Sequence, residues 1–462
     1  MERFDQWVAT FATYAWGPWL LVLLLGGGLF FIVFSRLIPF RFFRHALDII
    51  RGRYDSDSDD GDISHFQALA SALAGTLGMG NIAGVAIAIY VGGPGAVFWM
   101  WVSAVLGIAT KFFTCSLAIM YRGRDSLGRL QGGPMYVVRE GMGPRWHFLA
   151  YLFCLAGLIG CLPAFQVNQL TQILRDLIYI PNGWVSAEAP FTANLLTGIA
   201  IAALVAVVTF GGITRIGKVT SKLVPLMVAI YMAVAAWVLL NNLGEVPGYL
   251  ALIVTDAFTG SAAAGGALGA VIVTGIRRGA FSNEAGIGTE AMAHGAARTN
   301  EPIREGLVAM LGPMVDTLVV CTATALMILM TGVWQSSDAN GVTLTAGAFE
   351  AAVPGYGSWL LMICVLFFSI STMFSYSYYG TKCLGFLIGA ERQHWYNYIY
   401  VGMIVGAAVI SLDAVVNLID GMYALMAIPT MTSALMLSPM VMRAARDYFG
   451  RLGAGAFDSE SR

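Results

Sequence analysis

Along much of this chain the apolar positions are not spaced for one face of a helix; they run on without a polar side. From Phe66 to Thr110 there is no charged residue and no histidine. That run has room for two membrane spans of about 20 residues each, separated by Gly92, Gly93, Pro94 and Gly95. Eleven such spans can be drawn, roughly 16–34, 66–90, 96–121, 147–172, 193–210, 217–240, 264–295, 303–331, 356–381, 396–411 and 413–438. Two of them break the pattern. Residues 70–90 contain Gly75, Thr76, Gly78, Met79, Gly80 and Asn81, and residues 265–295 contain Gly275, Arg277, Arg278, Gly279, Ser282, Asn283, Glu284 and Gly286. Both stretches are too apolar to lie outside a membrane and too rich in glycine and polar residues to cross it as plain helices. Hydrocarbon offers no partner to a bare N–H or C=O, so non-helical backbone persists there only inside protein or beside a water-filled cavity. Paired interruptions, one in each half of a chain, point to the binding site of a secondary transporter.

Composition agrees with the spans. Of 462 residues, 58% are apolar and 11% charged, against about 25% charged in soluble domains. An all-α polytopic membrane protein is therefore expected. The cysteines at 115, 154, 161, 321, 364 and 383 fall in apolar runs, where the thiol behaves as a small hydrophobe, so neither a disulfide nor a cysteine metal site is expected. The histidines at 45, 65, 147, 294 and 394 lack ligand spacing. The first run, 16–34, is too long for a signal peptide, lacks an Ala-x-Ala exit and is followed by arginines, so it is kept as a span.

Charge sets the orientation. Assigning loops to alternate sides puts 21 of the 26 Lys and Arg residues on one side; Arg3 and Arg175 fall on the other, and Lys111, Arg277 and Arg278 lie within spans. The positive-inside rule then places the N-terminus outside and the C-terminus in the cytoplasm of a multi-pass protein of the cytoplasmic membrane. The acidic stretch from Asp55 to Asp62 reads as solvated linker.

With the first span set aside, ten remain in two blocks of five, each led by an interrupted helix. Five is odd, so the blocks enter from opposite faces, the inverted arrangement that permits alternating access around a midplane site. The expected divisions are a peripheral helix and loop (1–64), a first repeat (65–242), a second repeat (243–440) and a C-terminal tail (441–462). The plainer reading, glycines 75, 78 and 84 as a small-residue packing face, leaves Thr76 and Asn81 unexplained.

Several strings are distinctive: Ala72 to Ala86 through Gly75-Thr76-Leu77-Gly78-Met79-Gly80-Asn81, Gly92 to Trp101, Gly132-Gly133-Pro134-Met135-Tyr136, and Arg278-Gly279-Ala280-Phe281-Ser282-Asn283-Glu284-Ala285-Gly286. Over about residues 66 to 440 the chain resembles the alanine or glycine:cation symporter family. That family is similar in architecture to the leucine-transporter fold, a five-plus-five inverted repeat, here with one extra helix in front and the first helix of each repeat unwound. The resemblance implies sodium-driven uptake of a small neutral amino acid such as alanine or glycine, with sodium as the co-transported ion and no other cofactor. A proton-coupled symporter of the same fold is the alternative. By the same resemblance Thr76, Gly78, Gly80 and Asn81 are substrate-site candidates. The carbonyls of Ala74 and Leu77 with the hydroxyls of Ser371 and Thr372 would form a sodium site. The chain departs from the family at Tyr376, where a tryptophan is expected, and at Gly286-Ile287-Gly288-Thr289-Glu290-Ala291.

The chemistry suits such a cargo. Half-helix N-termini favour a carboxylate, unwound carbonyls suit an ammonium or a hard cation, and glycines 75, 78 and 80 permit the unwinding and let bare backbone approach a ligand. Met79, Ser282, Asn283 and Thr372 join the substrate candidates. Gln166 and Asn168 lie in an apolar helix, where an unpaired amide is costly; contact with substrate and an interhelical hydrogen bond both remain open. Phe165, Phe281 and Tyr376 are candidate pocket walls or lids, or simply packing. Arg277, Arg278, Glu284 and Asp316 are ionisable at membrane depth and should pair or face water. A bond from Arg278 to Asp316 or to Glu284 would serve as a gate strut or a static brace.

Other classes fit less well. Gly78 to Ala83 imitates a dinucleotide loop without its strand or its acidic residue, and Gly212 to Lys218 imitates a phosphate loop with Val219 where a hydroxyl belongs. A channel would build one filter from several subunits, an intramembrane enzyme would need a catalytic pairing that the spans lack, and no nucleic-acid partner is implied. The partners expected are the amino acid, sodium and the lipid bilayer, with the chain acting as a monomer.

Overall fold

The computed structural model describes residues 2–56, 58–186, 188–259, 268–336 and 339–457. The protein is 79% helical, with one two-stranded β pair, Gly123–Arg124 against Leu130–Gln131. The helices used below are α1 (Glu2–Ala15), α2 (Pro18–Phe34), α3 (Phe43–Ile50), α4 (His65–Thr76), α5 (Gly80–Gly92), α6 (Gly95–Met120), α7 (Pro134–Gly141), α8 (Pro144–Tyr179) and α9 (Phe191–Thr209). They continue with α10 (Gly212–Asn241), α11 (Val246–Thr259), α12 (Leu268–Asn283), α13 (Thr289–His294), α14 (Pro302–Met330), α15 (Val342–Ala352), α16 (Gly357–Ile388), α17 (Trp395–Ala407) and α18 (Leu412–Gly453).

Among the described residues, α6, α8, α9, α10, α14, α16 and α18 are each long and apolar enough to cross a membrane, and the bent pairs α1–α2 and α4–α5 raise the number to nine. Nine of the eleven spans drawn from the sequence are matched in this way. The other two correspond to α12–α13, whose expected residues 264–267 lie outside the described residues, and to α17, which at 13 residues is about 20 Å long. Hydropathy alone did not reveal α7, α11 and α15, which lie between spans.

The bundle has two distinguishable ends. α2, α6 and α18 run side by side in one direction: along α2, Gly28 and then Phe31 meet Leu106 and then Phe113 of α6 (rings 4.5 Å apart), and Gly27 and then Phe34 lie by Met431 and then Met442 of α18. Their C-terminal ends lead to Arg36, Arg122 and Arg446, so this is the basic end. α4 starts at the basic end: residues 60–63 pair with 296–299 through an Ile63–Ala297 bridge and through Asp62 N–H to the Ala296 carbonyl (2.9 Å). Arg122 ties that clasp by donating to the carbonyls of Asp60 and Thr299 (3.1 Å each) and of Gly295 (2.9 Å). The acidic stretch is thus not simple solvated linker. Its last residues form backbone pairs that fasten the start of α4 to the loop after α13, and its side chains alone gave no sign of this.

α4 and α12 come from opposite ends and both lose their helical winding part-way. Ser64 caps α4 in a reciprocal capping box with Gln67. The helix stops at Leu77, whose ψ of 83° leaves the helical region, and resumes at Gly80 at an angle of 50°. α12 stays helical through Gly275 and Gly279 to Asn283. The chain then passes through Glu284 (φ 54°), Gly286 (φ 82°) and Gly288 (φ 97°) before α13 begins. Left-handed conformations are open to glycine and strained for glutamate.

Candidate functional site

The two breaks touch. A Cβ built on Gly80 would lie 3.2 Å from the Ser282 Cα, and one built on Gly78 would collide with the Thr372 hydroxyl of α16. Glycine at these two places is what allows α4–α5 to pack backbone-first against α12 on one side and α16 on the other. Gly75 is different: it stays helical and faces the Tyr379 ring.

Each break is capped from within. Asn81 Oδ1 accepts from Gly78 N–H (2.9 Å), and Asn283 Oδ1 accepts from Ala285 N–H (3.0 Å). The same asparagines reach onto the wide-turned part of α14. Asn81 Nδ2 donates to the Asp316 carboxylate (2.6 Å) and to its carbonyl (3.1 Å), and Asn283 Nδ2 donates to Thr317 (3.3 Å). Asp316 also accepts from Ser282 (2.9 Å) and Thr317 (2.6 Å). Asn81, Ser282, Asn283, Asp316 and Thr317 are all fully buried.

Glu284, placed by its left-handed backbone, accepts from Thr289 and from Tyr376, with Tyr423 at 3.4 Å. Tyr376 and Tyr423 are in turn 2.5 Å apart. The tyrosine that departs from the family pattern therefore gives its hydroxyl to a buried carboxylate. Phe281 packs edge-on against Phe165 (5.2 Å), lies beside Tyr423 (5.5 Å) and underlies the Arg278 guanidinium (5.1 Å). Buried Gln166 adjoins Phe165 in sequence and has no hydrogen-bond partner for its Oε1 among the described residues.

Along α16, Ser371 and Thr372 turn their hydroxyls to the Phe368 carbonyl (3.0 and 2.9 Å), and one turn on Ser375 donates to the Ser71 carbonyl (2.7 Å). This register holds α16 against the last turns of α4, where Ala74 and Leu77 sit, all of them buried. Thr76 lies in the same turn, its hydroxyl 3.5 Å from the Leu73 carbonyl.

Three expectations need correction. Arg278 pairs with neither Asp316 nor Glu284. Its partner is Asp420 of α18, which also takes Arg277 (2.6 Å), because Asp316 is already filled by neutral donors. Asn168 stands apart from the cluster, donating to the Ile410 carbonyl (2.6 Å), with Asn194, Asn340 and Ser411 around the same 280 Å³ cavity. Gly75, expected to unwind, stays within α4 against Tyr379, and Gly275 and Gly279 are likewise packing glycines, since Cβ atoms there would strike Trp99 and Ser103 of α6.

Sequence reasoning missed Lys111, Glu290, Tyr423 and Asp420. Lys111 is buried, with its ammonium against Gly312. Thr114 donates to Glu290 at 3.4 Å. Ionisable residues within apolar runs were the available signal, and applied evenly it would have flagged all three charged residues.

The whole chain, residues 1–461, matches the model of the sodium:alanine symporter family. The chain belongs to that family. A sodium/alanine symporter of Methanococcus maripaludis is 39% identical over 445 residues, covering 95% of this chain and 96% of its own. A Bacillus subtilis protein named a probable sodium/glutamine symporter is 35% identical, over 95% of this chain and 90% of its own. Among solved structures, MhsT in complex with L-phenylalanine aligns with a TM-score of 0.59 at 12% identity, covering 83% of this chain and 98% of that one. Its likeness establishes the leucine-transporter fold. The family member is thus a multi-pass membrane transporter and not an enzyme.

Proposed function

We propose that this symporter carries a small neutral amino acid such as alanine or glycine into the cell, driven by sodium, by alternating access around the two breaks. The observation that carries the proposal is the contact of Gly80, where the chain resumes its helix, with Ser282 in the bundle interior, while Gly78 of the break meets Thr372. In this reading Thr76, Gly78, Met79, Gly80 and Asn81 present backbone and amide groups to the solute. Ser282, Asn283 and Thr372 add polar contacts, and Phe165, Phe281 and Tyr376 close an apolar side that admits only a short side chain. Gln166 offers its free amide oxygen. Sodium takes the carbonyls of Ala74 and Leu77 and the hydroxyls of Ser371 and Thr372, an all-oxygen set suited to a hard cation.

The repeats are 65–242 and 243–440, with the N-terminus outside, the basic end cytoplasmic and one chain sufficient for transport. Arg277 and Arg278 on Asp420 brace α12 against α18 on the outer side of the breaks. The test is uptake of labelled alanine or glycine into proteoliposomes with a sodium gradient imposed or removed at fixed pH, with glutamine as competitor. Sodium-dependent accumulation is expected. Equal accumulation in sodium-free buffer would remove sodium as the coupling ion, and uptake that glutamine blocks better than alanine would shift the substrate to the larger amide.

A further inference from the structure

α18 is 42 residues long, about 63 Å at the helical rise, twice the depth of hydrocarbon. Its last turns therefore project beyond the basic end of the bundle. There α2 stops at Phe34, and the chain turns through Arg36 (φ 53°) and Leu37 (φ 62°), two successive non-glycine residues in the left-handed region. Glycine would serve this turn without strain; as built, the turn throws Arg36 outward. The turn and α18 enclose a 520 Å³ cavity. Its wall is apolar at Val33, Phe34 and Met442, and its rim carries Arg36, Arg41 and Arg446. No carboxylate lines it. None of the three guanidiniums has an ion pair or hydrogen bond among the described residues, and Arg41 only overlies the Phe42 ring at 5.8 Å. The nearest acids in sequence are already engaged: Asp48 by Arg51 and Arg53, and Asp447 by Arg451. Beyond the turn the chain is held against the end of α18 by the Phe42–Phe449 stack (3.8 Å) and the hydrogen bond between His45 and Tyr448 (2.7 Å).

We propose that this cavity binds the phosphate headgroup of an anionic membrane phospholipid, with Arg36, Arg41 and Arg446 on the phosphate and an acyl chain laid along Val33, Phe34 and Met442. Three unpaired cations beside an exposed apolar wall, at the level where a span ends, match a ligand that is anionic at one end and apolar at the other. The lipid then joins the peripheral helix α2 to the end of α18. The proposal is independent of the cargo.

The test uses the purified full-length protein. Native mass spectrometry counts bound phosphatidylglycerol, and thermal unfolding is followed with phosphatidylglycerol, phosphatidylcholine or inorganic phosphate added. A phosphatidylglycerol adduct is expected, with stabilisation by that lipid and by neither other addition. Arg36→Gln and Arg446→Gln should each weaken lipid binding about fivefold, and the triple variant with Arg41→Gln about a hundredfold. Removing three charges elsewhere on the same end, at Arg145, Lys222 and Arg392, should leave it unchanged. Equal loss in that control would mean general charge attraction, equal stabilisation by inorganic phosphate would mean a simple anion site, and an adduct retained by the variants would mean no site here; each overturns the proposal.

Discussion

Replacing Asn81 by alanine removes the side chain that, among the described residues, bonds the first break to α14. Gly78 N–H loses its acceptor and Asp316 loses one of three side-chain donors. A buried N–H left unpaired costs about 1–3 kcal/mol and a hydrogen bond to a charged group contributes about 1.5–3 kcal/mol. Together the change destabilises the assembled centre by about 2.5 to 6 kcal/mol, and each 1.36 kcal/mol is tenfold in a rate that depends on it. Sodium-dependent alanine uptake by Asn81→Ala in proteoliposomes should therefore fall by at least about fiftyfold. Protein recovered from the membrane should remain folded, because the loss is confined to one contact between helices packed elsewhere along their length. Uptake within a few-fold of the unaltered protein, at equal protein content, would refute the reasoning, since the break would then not need its cap.

Other substitutions probe separate parts of the account. Asp420→Asn strips the carboxylate from two guanidiniums, one of them fully buried, and should cost about 3–5 kcal/mol, seen as a lower unfolding temperature and poor folded yield. Gly78→Val drives a branched side chain into Thr372 and should abolish sodium-dependent uptake while the protein still inserts, checked by transport against surface labelling. Glu305 holds buried His65 of α4 and His294 of α13 together, the latter at 2.5 Å. Glu305→Leu should loosen the basic end by about 3–5 kcal/mol, read as faster labelling of a cysteine placed at residue 297. By contrast Arg451→Ala breaks a half-exposed pair with Glu301 and should change stability by no more than about 1 kcal/mol.

Much of the fold was legible because lipid imposes a simple rule on sequence: long apolar runs, with charge pushed to one side. The location of the breaks was only half legible. Glycine marks both a bare packing face and a left-handed turn, and the letters do not distinguish them. In the first broken helix the polar Asn81 settled the matter. In the second, Gly275 and Gly279 have the same appearance as Gly286 and Gly288, yet the first pair packs on α6 and the second pair turns the chain. Ion pairing was less legible still. Asp420 lies 142 positions from Arg278, and which carboxylate meets that guanidinium depends on how α12 packs on α18. Asp316 was the nearer choice in sequence, but hydroxyls and an amide already occupy it.

The central claim is that the two apposed breaks form one sodium-dependent solute site. Its most direct test is equilibrium binding of labelled alanine to the purified protein in detergent, with sodium present or replaced by choline. Saturable binding that needs sodium, is lost in Asn81→Ala and is weakened in Thr372→Ala is the predicted result. Binding that is indifferent to sodium, or that survives both substitutions, would contradict the account.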